Sequence, residues 1–398
     1  MTITDNFSDL LADRTHLMQA SAIREILKLV SRPGMISLAG GIPAPDSFPL
    51  EIIQELTAQV LNKYDSKAFQ YDLTEGFVPF REALVDFLAA KGIKTDASEI
   101  ITSSGSQGVL DGLGKILISK GDKVAVESPS YLGALQAFNP YEPEYVSMAT
   151  DDDGLIPEAL SETIRQHRLK FVYLVPTFQN PTGRTLSLER RQQIAEIIQE
   201  YNILLIEDDP YGDLRYRGEQ LPPIKALAPD HVVYIGTLSK IFAPGLRLGF
   251  VVAPALIRQW LVLAKQGVDL HSSTFNQALA SEYLAGGYLK KQLPKIVELY
   301  RPKQEAMLKA MDEFFDPRFK WSQPEGGMFI WAEGPKNLNM DKVYLKAIES
   351  NTAFVPGKYF YPHIGDGINT MRLNYTMSSE EQIRSAIQKL AEVLKGFL

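Results

Sequence analysis

The chain contains no cysteine, so neither a disulfide nor a thiolate metal site is open to it. Basic charge is scarce too: 41 lysines and arginines face 48 aspartates and glutamates, a formal net charge of -7. That balance argues against a nucleic-acid or anionic-membrane partner, both of which select basic patches. The five histidines, at positions 16, 167, 231, 271 and 363, show no metal-ligand spacing, and there is no G-x-S-x-G elbow. Long apolar runs are missing. Those at 246–256 and 257–264 are broken by Arg247, Pro254 and Arg258, well short of the roughly 20 residues a membrane helix needs. MTITDNFSDL at the start has neither the basic opening nor the apolar core of a signal peptide, so a cytoplasmic setting is expected. Repeats, low-complexity tracts and module-separating linkers are absent as well. What is present, 398 residues of which 45% are hydrophobic, suffices for a large core and suits a soluble small-molecule enzyme.

From about Glu99 to Gly249 short apolar runs alternate with amphipathic stretches: EIITSS then GVLDGLGKILI, KVAVES then YLGALQAF, KFVYLVP then LERRQQIAEIIQEY, and finally NILLIED and VVYIG. This alternation predicts an α/β fold with a mainly parallel sheet. Polar residues interrupt the runs at Ser104–Gln107, Ser128–Tyr131, Gln179–Gly183, Glu207–Tyr211 and Thr237–Lys240. Each follows the carboxyl end of an expected strand. Ligands of open α/β sheets bind in the crevice at those ends, so five distant segments are expected to converge on one site. Taken singly, each also reads as an ordinary βα turn.

Lys240 is the most pointed of these residues. It follows an apolar run in YIGTLSKIFAPGLRLG, where partial desolvation disfavours the ammonium form and makes the amine a better nucleophile toward a carbonyl. Thr237, Ser239 and Arg247 in the same segment supply two hydroxyls and a guanidinium suited to a phosphate ester. Together they describe a seat for a phosphorylated aldehyde. SSGSQG, residues 103–108, precedes a helix whose backbone N–H groups and dipole suit an anion. Arg372, in the strand-like NTMRLNYT, is a guanidinium in apolar surroundings that calls for a bidentate partner such as a carboxylate.

TLSKIFAPGLRLG, FQNPTG and EDDPYGDL resemble the motifs of the class I/II aminotransferases, pyridoxal 5'-phosphate enzymes of the aspartate aminotransferase fold (fold type I), over nearly the whole chain. The seven-residue step from Lys240 to Arg247 is similar to that of the 2-aminoadipate, aromatic and kynurenine aminotransferase subgroup. The resemblance implies that Lys240 carries the cofactor and then acts as the catalytic base. It implies that Gly105, Ser106 and Gln107 form the phosphate loop, with Thr237, Ser239 and Arg247 beside it. Tyr131 would stack on the pyridine ring, and Asn180 and Tyr211 would bind its 3-oxygen. Asp208 would pair with the ring nitrogen. Residues alone leave open which of Glu207, Asp208 and Asp209 does so; the family spacing selects Asp208. Arg372 and Asn180 would hold the substrate carboxylate, which Gly40 and Gly41 in LAGGIPAPDSFP would let approach closely. Tyr71 would reach the phosphate of a neighbouring subunit, implying a homodimer with shared sites.

In MQASAIREILKLV, residues 18–30, Ile23, Ile26, Leu27 and Val30 follow helical spacing, with Ser21, Arg24 and Lys28 on the other face. By itself that polar face reads as solvated. In the subgroup it resembles, such a helix closes over the substrate, so Ser21 and Arg24 are expected to meet the substrate side chain. GLGK at 112–115 lacks the first glycine of a phosphate loop and reads as helix packing. EEQIRSAIQKLAEVLKGFL, with Ile383, Ile387, Leu390 and Leu394 at helical spacing, reads as a packed C-terminal helix.

The expected organisation is an arm and capping helix at 1–48, a large cofactor-binding domain at 49–285 and a small domain at 286–398. The expected reaction moves the amino group of an L-amino acid (2-aminoadipate, glutamate, leucine or aromatic) to a 2-oxo acid such as 2-oxoglutarate, by a ping-pong cycle. Two alternatives stand beside it: a lyase or decarboxylase on the same scaffold, and an aminotransferase-like effector sensor. The sensors of that kind carry an added DNA-binding domain, for which too few residues precede the LAGG segment.

Overall fold

The structure, a computed structural model, describes residues 7–18, 26 and 34–398. The apolar runs of the middle third become β1 (Ile100–Ser103), β2 (Lys123–Glu127), β3 (Glu144–Met148), β4 (Leu169–Leu174), β5 (Leu205–Asp209), β6 (Val232–Thr237) and β7 (Gly249–Val252). They form one seven-stranded sheet in the order β1-β7-β6-β5-β4-β2-β3. Every neighbouring pair is parallel except those made by β7, which runs antiparallel to both β1 and β6. The carboxyl ends of the other six strands therefore share one edge.

Side chains on a strand alternate between faces, and each face of this sheet has its own helices. Phe171, Ile206, Val233, Ile235 and Val251 pack with Leu110, Leu113, Phe138 and Leu261, from α1 (Ser106–Leu117), α2 (Leu132–Phe138) and α5 (Ala255–Gln266). The intervening residues Val172, Leu174, Leu205 and Val232 pack with Leu160, Ile194 and Ile198, from α3 (Pro157–Gln166) and α4 (Leu188–Glu200). The mainly parallel α/β arrangement is thus as the alternation predicts. GLGK lies inside α1, with Leu113 and Gly114 buried.

Beyond the sheet, α6 (Thr274–Ala285) hands over to the long α7 (Tyr288–Phe314) through Gly286 and Gly287, the latter at a φ of 71°. A second, antiparallel sheet follows: β8 (Lys320–Trp321), β9 (Phe329–Glu333), β10 (Val355–Pro356) and β11 (Thr370–Asn374), in the order β8-β9-β11-β10. The C-terminal α8 (Glu380–Lys395) starts from a capping box between Ser379 and Gln382 and buries Ile383, Ile387, Leu390 and Leu394, the stripe read from the sequence. One continuous core runs from Leu56 and Phe80 through Phe329 and Leu373 to Leu390, so the second sheet is packed onto the first body. No helix among the described residues is long and apolar enough to cross a membrane.

Candidate active site

Three clefts of similar size, about 830, 950 and 870 Å³, open on the described surface. Volume does not single one out; chemistry does. The first lies at the shared strand edge and is lined by Gly41, Ser106, Gln107, Tyr131, Asn180, Asp208, Tyr211, Thr237, Ser239, Lys240, Arg247 and Arg372. Buried atoms left without a hydrogen-bond partner include Oδ1 of Asp208 and Nε of Arg372. An unpaired buried polar atom costs roughly 1–3 kcal/mol, so two on one cavity mark a place built for a ligand.

At one end of the cavity, Gly105 is the N-cap of α1, at a φ of 84° and with no side chain capping the helix. Its backbone N–H groups are thereby left for an anion. That φ favours glycine, and a Cβ would also force the Arg247 guanidinium to shift. Thr237 Oγ1 lies 2.9 Å from Ser239 Oγ and donates to the Leu248 carbonyl at 2.9 Å. Arg247 donates to the Ser104 carbonyl at 3.2 Å, and no ion-pair partner holds it among the described residues. Gln107 donates to the Gly133 carbonyl at 2.7 Å, which ties the start of α1 to the first turn of α2, whose N-cap is Tyr131.

Lys240 Nζ donates to the Gly41 carbonyl at 3.0 Å. Burial first, then the Arg372 and Arg247 charges, pull its amine down to about 8, so it gives up its proton far more readily than an ordinary lysine.

The three acids of EDDPYGDL now separate. All three lie within β5, whereas the sequence placed them after the strand. Glu207 accepts from the backbone N–H groups of Ile224 and Lys225 at 2.9 and 2.8 Å. Asp209 accepts from the Tyr234 hydroxyl at 2.7 Å and the Gly212 N–H at 2.9 Å, with Lys91 Nζ 3.7 Å away. Both face away from the cavity, while Asp208 faces into it. Burial pushes the Asp208 carboxyl up to about 7, with the Tyr173 hydroxyl pulling the other way and Asp209 adding to the rise.

Arg372, fully buried on β11, donates to Asn180 Oδ1 and to the Ala39 carbonyl, both at 2.9 Å. Its guanidinium lies between the rings of Phe329 and Phe360, 4.2 and 4.9 Å from their centroids, and no carboxylate pairs with it among the described residues. Burial pulls its guanidinium down to about 10, the direction expected of a cation awaiting an anion. Asn180 also donates to the Tyr211 hydroxyl at 3.2 Å, which leaves that phenol's own proton free.

Gly40 is buried but does not line the cavity. Tyr71 lies outside it, 79% exposed and edge-on to His271 at 5.6 Å. Ser21 and Arg24 lie outside the described residues, as do Ile23, Leu27 and Val30. Ile26 is buried against Trp331, Val355 and Phe360. Sequence reasoning missed Phe329, Phe360 and Tyr173, aromatic residues in apolar runs that read as packing.

Residues 34–390 match the aminotransferase class I and II family. The chain belongs to that family. It is 47% identical over 386 residues to an aromatic-amino-acid aminotransferase of Thermococcus litoralis, covering 95% of this chain and 92% of that one. It is 39% identical to a 2-aminoadipate transaminase of Thermus thermophilus, over 96% and 95% of the two chains. Among solved structures, the kynurenine aminotransferase of Pyrococcus horikoshii, in complex with PMP, superposes over 100% of both chains with a TM-score of 0.96 and 43% identity. The aminotransferase is therefore of the pyridoxal-phosphate-dependent fold type I, and pyridoxal 5'-phosphate is its cofactor.

Proposed function

We propose that this aminotransferase takes 2-aminoadipate, glutamate, leucine and aromatic L-amino acids as donors and 2-oxoglutarate as acceptor, in a ping-pong cycle. The observation that carries the site assignment is the convergence of Lys240 Nζ, the unpaired Asp208 Oδ1 and the unpaired Arg372 Nε on one cavity.

These residues fit the cofactor. Gly105, Ser106 and Gln107 at the uncapped start of α1, with Thr237, Ser239 and Arg247, would hold its phosphate. Asp208 would face the ring nitrogen, Tyr131 the ring, and Asn180 and Tyr211 the 3-oxygen. Pyridoxal phosphate bound there supplies an electron sink that acidifies the substrate Cα. Arg372 and Asn180 hold the substrate carboxylate beside the Gly41 backbone. Lys240 Nζ takes the proton from Cα, a role that its depressed amine suits at neutral pH. The Phe329 and Phe360 rings keep water from the Arg372 guanidinium and strengthen its pairing.

Ser21 and Arg24 would meet the substrate side chain, an arginine that pairs with an acidic tail and swings away from an apolar one. Names of the relatives support the aromatic and 2-aminoadipate part of that range: they are an aromatic-amino-acid aminotransferase, a 2-aminoadipate transaminase and a kynurenine/alpha-aminoadipate aminotransferase. Tyr71, exposed on the single chain, would complete the phosphate seat of a partner in a cytoplasmic homodimer. The division at 48/49 and 285/286 would separate the arm, the cofactor-binding body and the small domain, the second boundary falling at the Gly286–Gly287 break.

The deciding experiment titrates the cofactor-loaded protein with each donor and follows the absorption change from the pyridoxal to the pyridoxamine form. Conversion by 2-aminoadipate, glutamate, leucine and tyrosine is expected. A loaded protein that converts with none of them would overturn the donor range and reopen the lyase reading.

A further inference from the structure

The two oxygens of Asp208 are in different states. Oδ2 accepts a hydrogen bond from the Tyr173 hydroxyl at 2.9 Å, while Oδ1 has no partner. Both residues are buried, Tyr173 completely and Asp208 at 1% exposure. They sit on adjacent parallel strands: Tyr173 of β4 pairs in register with Ile206 of β5, so the phenol reaches along the sheet to the residue two further on, on the same face. Phe138 of α2 holds the Tyr173 ring edge-on at 5.9 Å and 82°.

A phenol in this place has one direction to donate. Burial and the neighbouring Asp208 push Tyr173 well above the usual phenol range, so it keeps its proton, and no other acceptor is given to it. The hydroxyl removes one carboxylate oxygen from use and fixes the rotation of the other. Asp209, the next residue, faces the opposite way and is engaged by Tyr234, Gly212 and Lys91. Tyr173 is thus the sole side-chain partner of the Asp208 carboxylate among the described residues.

We propose that Tyr173 is a positioning residue that acts through Asp208, holding that carboxylate as an anion with a single oxygen presented to the cofactor's ring nitrogen. This rests on the reading that Asp208 faces that nitrogen. A tyrosine kept for packing alone could lose its hydroxyl without consequence for one ring atom; a positioning tyrosine could not.

The test measures dissociation constants of cofactor-free wild type and Tyr173→Phe for pyridoxamine 5'-phosphate and for its analogue with CH in place of the ring nitrogen. Wild type is expected to prefer the nitrogen-bearing ligand strongly. Tyr173→Phe should cut that preference about tenfold, the worth of one charge-assisted hydrogen bond, while binding the CH analogue as wild type does. In ring-¹⁵N-labelled ligand, the nitrogen signal should move toward its unprotonated position in the variant. If wild type discriminates and Tyr173→Phe discriminates equally, the Tyr173 role alone falls. Equal weakening of both ligands likewise overturns it in favour of packing. If wild type itself shows no preference, the Asp208 assignment fails and the proposal with it.

Discussion

Arg191 and Arg372 are each 1% exposed, yet the protein treats them in opposite ways. Arg191 on α4 engages every nitrogen of its guanidinium: Nε donates to Leu186, Nη1 to Pro222, and Nη2 to Pro176 and to the Thr177 hydroxyl, at 2.8–3.1 Å. Arg372 makes two bonds to neutral acceptors, leaves Nε free and lies between two aromatic rings. A saturated buried cation holds loops together, whereas an unsaturated one holds free energy in reserve for a ligand. The same contrast recurs within one strand, where Glu207 and Asp209 are paired on one face and Asp208 keeps an open oxygen on the other.

Four changes probe this contrast. Arg372→Leu should lower kcat/KM on the order of a thousandfold for every amino acid, whatever its side chain, because the substrate carboxylate loses its buried partner. Its thermal midpoint should fall less than that of Arg191→Leu, since two acceptors rather than four lose their donor and an unpaired buried charge is removed with them. A comparable loss of stability with activity retained would make Arg372 a second Arg191. Arg191→Leu should do the reverse, costing about 3–5 kcal/mol in denaturant unfolding by stranding four acceptors, with KM unchanged in the folded fraction.

Asp208→Asn tests the cost of the open oxygen. Because burial raises the Asp208 carboxyl from 3.8 to about 7, its contribution to the cofactor-free protein is fully present below about pH 4 and lost as pH rises through 7. The asparagine has no proton to lose. Wild type should therefore fall behind the variant by a few kcal/mol between pH 4 and 8, read from parallel urea titrations; parallel curves would mean that Asp208 is not strained by its burial. Phe329→Leu, the mildest change, removes one ring from Arg372 and should weaken substrate carboxylate binding about tenfold, seen as a raised KM with kcat nearly held.

Much of the site could be read from the chain because strand-end position and residue type are both local signals. Lys240, Arg247 and the SSGSQG segment announce themselves by polar residues following apolar runs. Period-two alternation shows that Glu207 and Asp209 share a face, but not which face meets the cavity; that depends on which neighbouring elements supply partners. Tyr173 was hidden for a related reason: inside KFVYLVP it looks like core, and its hydroxyl gains meaning only from Asp208 on the next strand. Phe329 and Phe360 likewise become visible only once two distant strands bring them to the faces of Arg372. The reversed direction of β7 left no mark in its apolar pattern, which suits either orientation.

That reversed strand also bears on the order in which the protein is made. Thr237 pairs with Gly249 across β6 and β7, so the segment bearing Lys240 is a short loop clasped at its own base, with little chain entropy lost in closing it. Everything from Gly105 to Arg247 leaves the ribosome well before Arg372. The residues proposed for the phosphate seat are thus all in the nascent chain while the proposed carboxylate clamp is still unsynthesised, and the grip on the substrate's carboxylate would be the last part of the site to be completed.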